Sequence, residues 1–94
     1  MSVYVVTWNL NKEGAEYQKA RTAFLNQLGN YDNTKDSQLD TVRWISTTST
    51  AQQVSAFLQQ KLDKNDRLFV SKVVAGTHAG WLEQSVWDWI NARL

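Results

Sequence analysis

Asn9 is the first residue of the chain placed to do chemistry, because it closes an apolar run, Val3 to Trp8, just before a change of pattern. Polar groups at the end of a strand, carried on the following loop, are where α/β scaffolds commonly place binding and catalytic side chains. Asn11 follows on the same turn and shares that position. The plain alternative is that both serve the turn itself, which Asn favours. His78, the single histidine, lies between Gly76 and Gly80 and could titrate near neutrality, but general acid–base work also requires an orienting partner, and the neighbouring residues offer none. A loop residue without a catalytic role is the plainer reading. Asp32, Asp36 and Asp40 recur every four residues. The Asn, Thr and Ser around them oppose a helix, and the glycine and terminal glutamate of a calcium loop are missing, so they read as a solvated loop. No metal ligand set, phosphate-binding glycine loop, nucleophile elbow or dinucleotide fingerprint is present, and no cofactor is expected.

The remaining candidates are aromatic and basic. Five tryptophans in 94 residues, Trp8, Trp44, Trp81, Trp87 and Trp89, suit core or interface packing, and less readily stacking on bases or carbohydrate. Lys and Arg are scattered rather than clustered. Lys12, Arg43 and Lys72 are the candidate nucleic-acid contacts, the last two on strands where they could share a sheet face with an aromatic. Ten basic against nine acidic residues leave a formal charge of +1, too little for a field that gathers phosphate backbones or membranes. The absence of cysteine excludes disulfides, Cys-ligated zinc and thiol nucleophiles. No apolar run approaches the roughly 18 residues of a membrane span, and Met1 to Leu10 lacks the basic start of a signal peptide, so a soluble, cytoplasmic protein without membrane association is expected.

The elements that must position these residues follow from periodicity. Ser2 to Leu10 is β-branched and aromatic without a charge and reads as a central strand. From Glu13 to Leu28 the period becomes helical, with Tyr17, Ala20, Phe24 and Leu28 on one side and Gly29–Asn30 as a stop. Tyr31 to Asp40 is polar and turn-forming, the segment expected to be most mobile. Overlapping its start, Asn30 to Lys35 could add a weak strand. Thr41 to Thr47 returns to strand composition and is expected at a sheet edge. Thr50 with Gln53 forms a capping-box pattern that starts a helix carrying Ala51, Val54, Phe57, Leu58 and Leu62. Asp63 to Asp66 turns the chain into a strand over Arg67 to Ala75. A flexible connection to Gly80 precedes a helix over Trp81 to Leu94, with Leu82, Val86, Trp89 and Ile90 at helical spacing.

This order predicts one α+β domain over residues 1–94, a ferredoxin-like βαββαβ sandwich with an added C-terminal helix. Two helices on one face of a small sheet leave the other face bare, and the first and third clear strands are apolar at both alternations. Exposed apolar surface of that extent predicts a homodimer through the open face or its edges, with Trp81, Trp87 and Trp89 contributing.

The pieces YVVTWNLNKEG (Tyr4–Gly14), LDKNDRLFVSKV (Leu62–Val73) and GWLEQSVWDWI (Gly80–Ile90) resemble a family of small bacterial proteins labelled SinR family, distinct from the helix-turn-helix repressor of that name. That family is similar to the ferredoxin-like CRISPR adaptation endonucleases and the virulence-associated protein D toxins. The resemblance implies the same fold and a dimer. It also implies a departure: those nucleases carry an Asp near the end of the first strand for a divalent metal, where this chain has Asn9. A neutral amide is a poor ligand for Mg²⁺, so the expected function is a non-catalytic binding module on a nuclease-like scaffold, with nucleic acid or protein as its candidate partner. The alternatives are a small toxin-type ribonuclease working without metal through His78, Tyr4 or an arginine, and a protein-directed accessory factor of a mobile element.

Overall fold

The structure, a computed structural model, describes residues 1–94. Four strands and three helices follow in the order β1 (Ser2–Asn9), α1 (Gly14–Leu28), β2 (Asp32–Thr34), β3 (Val42–Thr47), α2 (Ala51–Gln59), β4 (Arg67–Val73) and α3 (Gln84–Arg93). The sheet is antiparallel throughout, in the order β2-β3-β1-β4. Each βαβ half therefore brackets a strand of the other half, which is the ferredoxin-like arrangement with an additional C-terminal helix. No helix is long and apolar enough to cross a membrane.

β1 is central, as its unbroken apolar run predicts. β3 is not the edge strand expected from its polar alternation: it lies between β1 and β2, pairing Trp44 with Val5 on one side and with Thr34 on the other. The misassignment has a physical cause, since β2, the weak strand expected over Asn30 to Lys35, is only three residues long and two of them, Asp and Asn, disfavour strands. The backbone of β3 supplies the pairing that composition does not.

Register sorts the sheet into two faces. Tyr4, Val6 and Trp8 of β1 share one face with Ile45 of β3 and with Leu68 and Val70 of β4. The helical stripes of α1 and α2 close over them, and Phe24, Leu28, Val54 and Leu58 are wholly buried. Each such side chain contributes roughly 1.5–3 kcal/mol by leaving water. The capping box at Thr50 is realised, with Thr50 Oγ1 accepting from Gln53 N at 3.1 Å and Gln53 Oε1 accepting from Thr50 N at 2.8 Å.

On the opposite face the expectation needs correcting. That face is not bare, because α3 turns back and lies on it. Val86 and Ile90, four residues apart and so on one side of the helix, bury against Val3, Trp44 and Val73 in a second, smaller core. The helix itself begins at Gln84 rather than Trp81. The loop after β2 pins its start: Asp36 accepts from the Glu83 amide at 2.8 Å, and the Glu83 carboxylate accepts from both the amide and the hydroxyl of Ser37. At its far end the Arg93 guanidinium pairs with Asp32 at 2.8 Å and lies 4.1 Å over the Trp89 ring. The polar Tyr31–Asp40 stretch is thus an anchor for α3, with Asp36 buried within it.

What α3 leaves uncovered is the part of this face beyond its reach. Phe69, opposite Thr7 in the register, is 63% exposed, and Trp81, on the segment that leads across the sheet into α3, is 99% exposed.

Candidate functional site

The end of β1 is where the sequence places its first candidates, and the structure builds a compact polar cluster there. Because β1 and β4 are antiparallel with Asn9 opposite Arg67, the residues that leave β1 meet those that enter β4. Asp66 is the centre of the cluster. Its side chain is only 1% exposed, with Oδ1 accepting from the Asn11 amide at 2.9 Å and Oδ2 from the Asp63 amide at 3.0 Å. Lys12 Nζ reaches both oxygens, at 3.0 and 2.9 Å, and also Asp63 at 2.8 Å. Asp63 in turn accepts from the Asn65 amide at 2.8 Å, a local turn bond typical of Asp.

Two carboxylates meet one ammonium in the cluster, and backbone amides supply the other donors. Burial by itself raises the pKa of Asp66, but the two backbone amides and the Lys12 ammonium more than offset it and hold the carboxyl below its ordinary value. Hydrogen bonds from Lys12 and from the Asn65 amide likewise lower Asp63. Lys12 moves up, through its bonds to Asp63 and Asp66. Both carboxylates are ionised at neutral pH, and Asp66 has its lone pairs engaged by four donor contacts. An adjoining open cleft of about 440 Å³ is lined by Lys64, Arg67 and Leu62 among others, and the Arg67 guanidinium donates to the carbonyls of Lys64 and Asp66.

Asn9 itself is exposed, and Asn11 takes part in the cluster through its backbone. Among the candidate nucleic-acid contacts, Lys12 is held by two carboxylates. Arg43 is partly buried, donates to Asn33 at 3.0 Å, and has its pKa lowered by burial and then by nearby Arg21. Lys72 is exposed. Arg43 and Lys72 do share a sheet face with Tyr4, as the strand pattern allows, but it is the face that α1 and α2 cover.

His78 lies elsewhere. Arg67 and Val73, the two ends of β4, are about 20 Å apart, and His78 follows from the far one. A turn over Val74–Thr77, with Gly76 at φ +80° and the Thr77 amide bonded to the Val74 carbonyl, delivers it there. Its Nδ1 is 3.1 Å from the Val74 carbonyl and its ring stacks on Trp87, with centroids 6.0 Å apart. No carboxylate orients it. Tyr4 is buried and donates its hydroxyl to the Ser49 carbonyl at 2.8 Å. His78, Tyr4 and Asn9 are therefore not brought into one constellation, and the molecule has no grouping of three or more His, Asp or Glu side chains suited to a metal ion.

The tryptophans divide sharply. Trp8 and Trp44 are buried, one in each core; Trp87 and Trp89 are half-buried on α3; Trp81 stands in solvent. Sequence reasoning missed the Lys12–Asp63–Asp66 cluster, reading Asp63 to Asp66 only as a turn. The signal that could have found it is topological: in a ferredoxin-like sheet β1 lies beside β4, which sets the residues after Asn9 against those before Arg67. Comparison of the chain with family models, with curated proteins and with solved structures gives no match in any of the three.

Proposed function

We propose that this protein is a non-catalytic homodimeric binding module, built on a ferredoxin-like scaffold of the kind that nucleases use and lacking their metal chemistry. The observation that carries the reading is the state of Asp66. It is the buried carboxylate nearest the end of β1, and Lys12 and two backbone amides already neutralise and saturate it. Asn9 beside it is neutral. Recruiting a divalent cation would mean breaking an ion pair inside the fold, and Mg²⁺ binding rests on charged oxygen ligands that are free to coordinate. The metal-free route is no better served, because the one histidine lacks an orienting group and Tyr4 is engaged by the Ser49 carbonyl.

The partner of the module is protein rather than nucleic acid. Lys12 is consumed by its ion pairs and Arg43 sits on the covered face, whereas the exposed groups of the second face, Phe69 and Trp81, are aromatic. Exposed aromatics are common anchors of protein interfaces, and Arg67, two residues from Phe69 on the same face, is the basic residue beside it.

The pure protein with Mg²⁺ or Mn²⁺ is expected to leave single-stranded and duplex RNA and DNA intact. Nuclease activity that survives repurification and is lost on Asn9→Ala or His78→Ala would reject the reading. Nucleic-acid binding with a steep salt dependence would keep the module but replace the protein partner with a phosphate backbone.

A further inference from the structure

The second sheet face holds a cavity that nothing in the chain fills. It measures about 180 Å³ and is walled by Val5, Trp44, Leu82, Trp87 and Ile90, with His78 at its rim against Trp87. Gly80 and Leu82 line it, yet Trp81 between them carries a 99% exposed indole that points away. A fully solvated tryptophan and an unfilled apolar hole thus lie within one residue of each other. An apolar cavity of roughly 150 Å³ accepts a benzene ring, so this one has room for an aromatic ring system.

We infer that Trp81 of each copy inserts into this cavity of a second copy, so that two exchanged indoles form the centre of the homodimer. The inference rests on the homodimer reading given above and names the residue and the hole that would make it. The adjacency of knob and hole is the argument for a closed pair. In a twofold contact residue i of one subunit meets j of the other and j meets i, so two mouths facing each other across an axis bring each Trp81 to the opposite cavity. A knob and hole on distant surfaces would instead propagate into a filament. The area suits a weak pair. Each insertion removes roughly 200 Å² of indole and a smaller area of wall from water. Two insertions, together with Phe69 and the surface that covers it on each subunit, put the pair at the low end of specific interfaces, where weak and transient ones lie.

Sedimentation equilibrium of wild type and Trp81→Ala tests this, together with a titration of free indole into Trp81→Ala followed by methyl NMR. Trp81 is solvated in the protomer, so its removal leaves the fold intact. The expected results are a wild-type dimer, a dissociation constant raised at least about tenfold by Trp81→Ala, and indole-induced shifts at Val5 and Leu82 in the variant. A dimer that Trp81→Ala does not loosen overturns the insertion but leaves the homodimer reading standing on another surface. Loosening without any indole-induced shift at Val5 or Leu82 overturns the cavity as the receptor. A wild-type chain that stays monomeric at high micromolar concentration overturns both.

Discussion

The two faces of the sheet use the same kinds of residue to opposite ends. Under α1 and α2, every large apolar side chain of the stripe has a partner within the chain, and Phe24, Leu28, Ile45, Val54 and Leu58 have no exposure at all. Under α3 the cover is partial: Val86 and Ile90 close over Val3, Trp44 and Val73, while a cavity remains beside them and Phe69 and Trp81 face water. The polar residues show the same contrast in reverse. At the end of β1 Lys12, Asp63 and Asp66 satisfy one another, and no buried side-chain polar atom in the molecule lacks a partner. The two most exposed aromatic side chains, Phe69 and Trp81, belong to this second face, and the dimer proposed above is built there rather than on the charged cluster.

Truncation in the two cores separates the faces most strongly. Phe24→Ala should cost about 3–5 kcal/mol, a large part of the stability of a 94-residue domain, and chemical denaturation should show a lower midpoint with two-state character retained. Ile90→Ala on the smaller core should cost about 2–4 kcal/mol. An Ile90→Ala cost equal to or above that of Phe24→Ala would mean that the two faces are equally closed, contrary to the contrast drawn above.

Next in size is the polar cluster. Asp66→Ala strands the amides of Asn11 and Asp63, and should destabilise by about 2–3 kcal/mol while leaving association untouched. Its dependence on pH has a fixed sign. Asp36, Asp63 and Asp66 all titrate below their ordinary value in the folded protein. Their contribution is complete above the unfolded-state value near pH 4 and is lost as pH falls through the folded values. Thermal melts from pH 7 downward should therefore stay level to about pH 5 and then decline, and Asp66→Ala should show a shallower decline. A decline of the same steepness in the variant would show that the cluster contributes nothing to acid sensitivity.

How much of this was legible in the sequence can be read from particular residues. The apolar run of β1, the stripe of α1 and the Thr50–Gln53 box are local signals, and they locate three elements and the buried face without any knowledge of topology. From its own polar alternation the sheet position of β3 was not legible; it follows only from the βαββαβ order, whose weak strand over Asn30 to Lys35 is β2. Nor was the return of α3 onto the second face, where the decisive contacts join Asp36 to Glu83 and Asp32 to Arg93 across 47 and 61 residues. The candidate site suffered most from this. Asn11 and Lys12 were visible as polar residues at a strand end, but their partner Asp66 lies more than fifty residues away and carries no mark of its role until β1 and β4 are paired. Trp81 was visible as one of five indoles; only the packed structure separates it from the four that are covered or half-covered.

The smallest change in stability should accompany the most informative change in behaviour. Phe69 is exposed, so Phe69→Ser should alter folding stability by no more than about 0.5 kcal/mol. Sedimentation equilibrium of the wild-type chain beside Phe69→Ser puts the second face to the test most directly. The account predicts a wild-type dimer at high micromolar concentration and a dissociation constant about tenfold higher in the variant. A wild-type protein that remains a single copy at the highest concentration reached, or a dimer indifferent to Phe69→Ser, would contradict it.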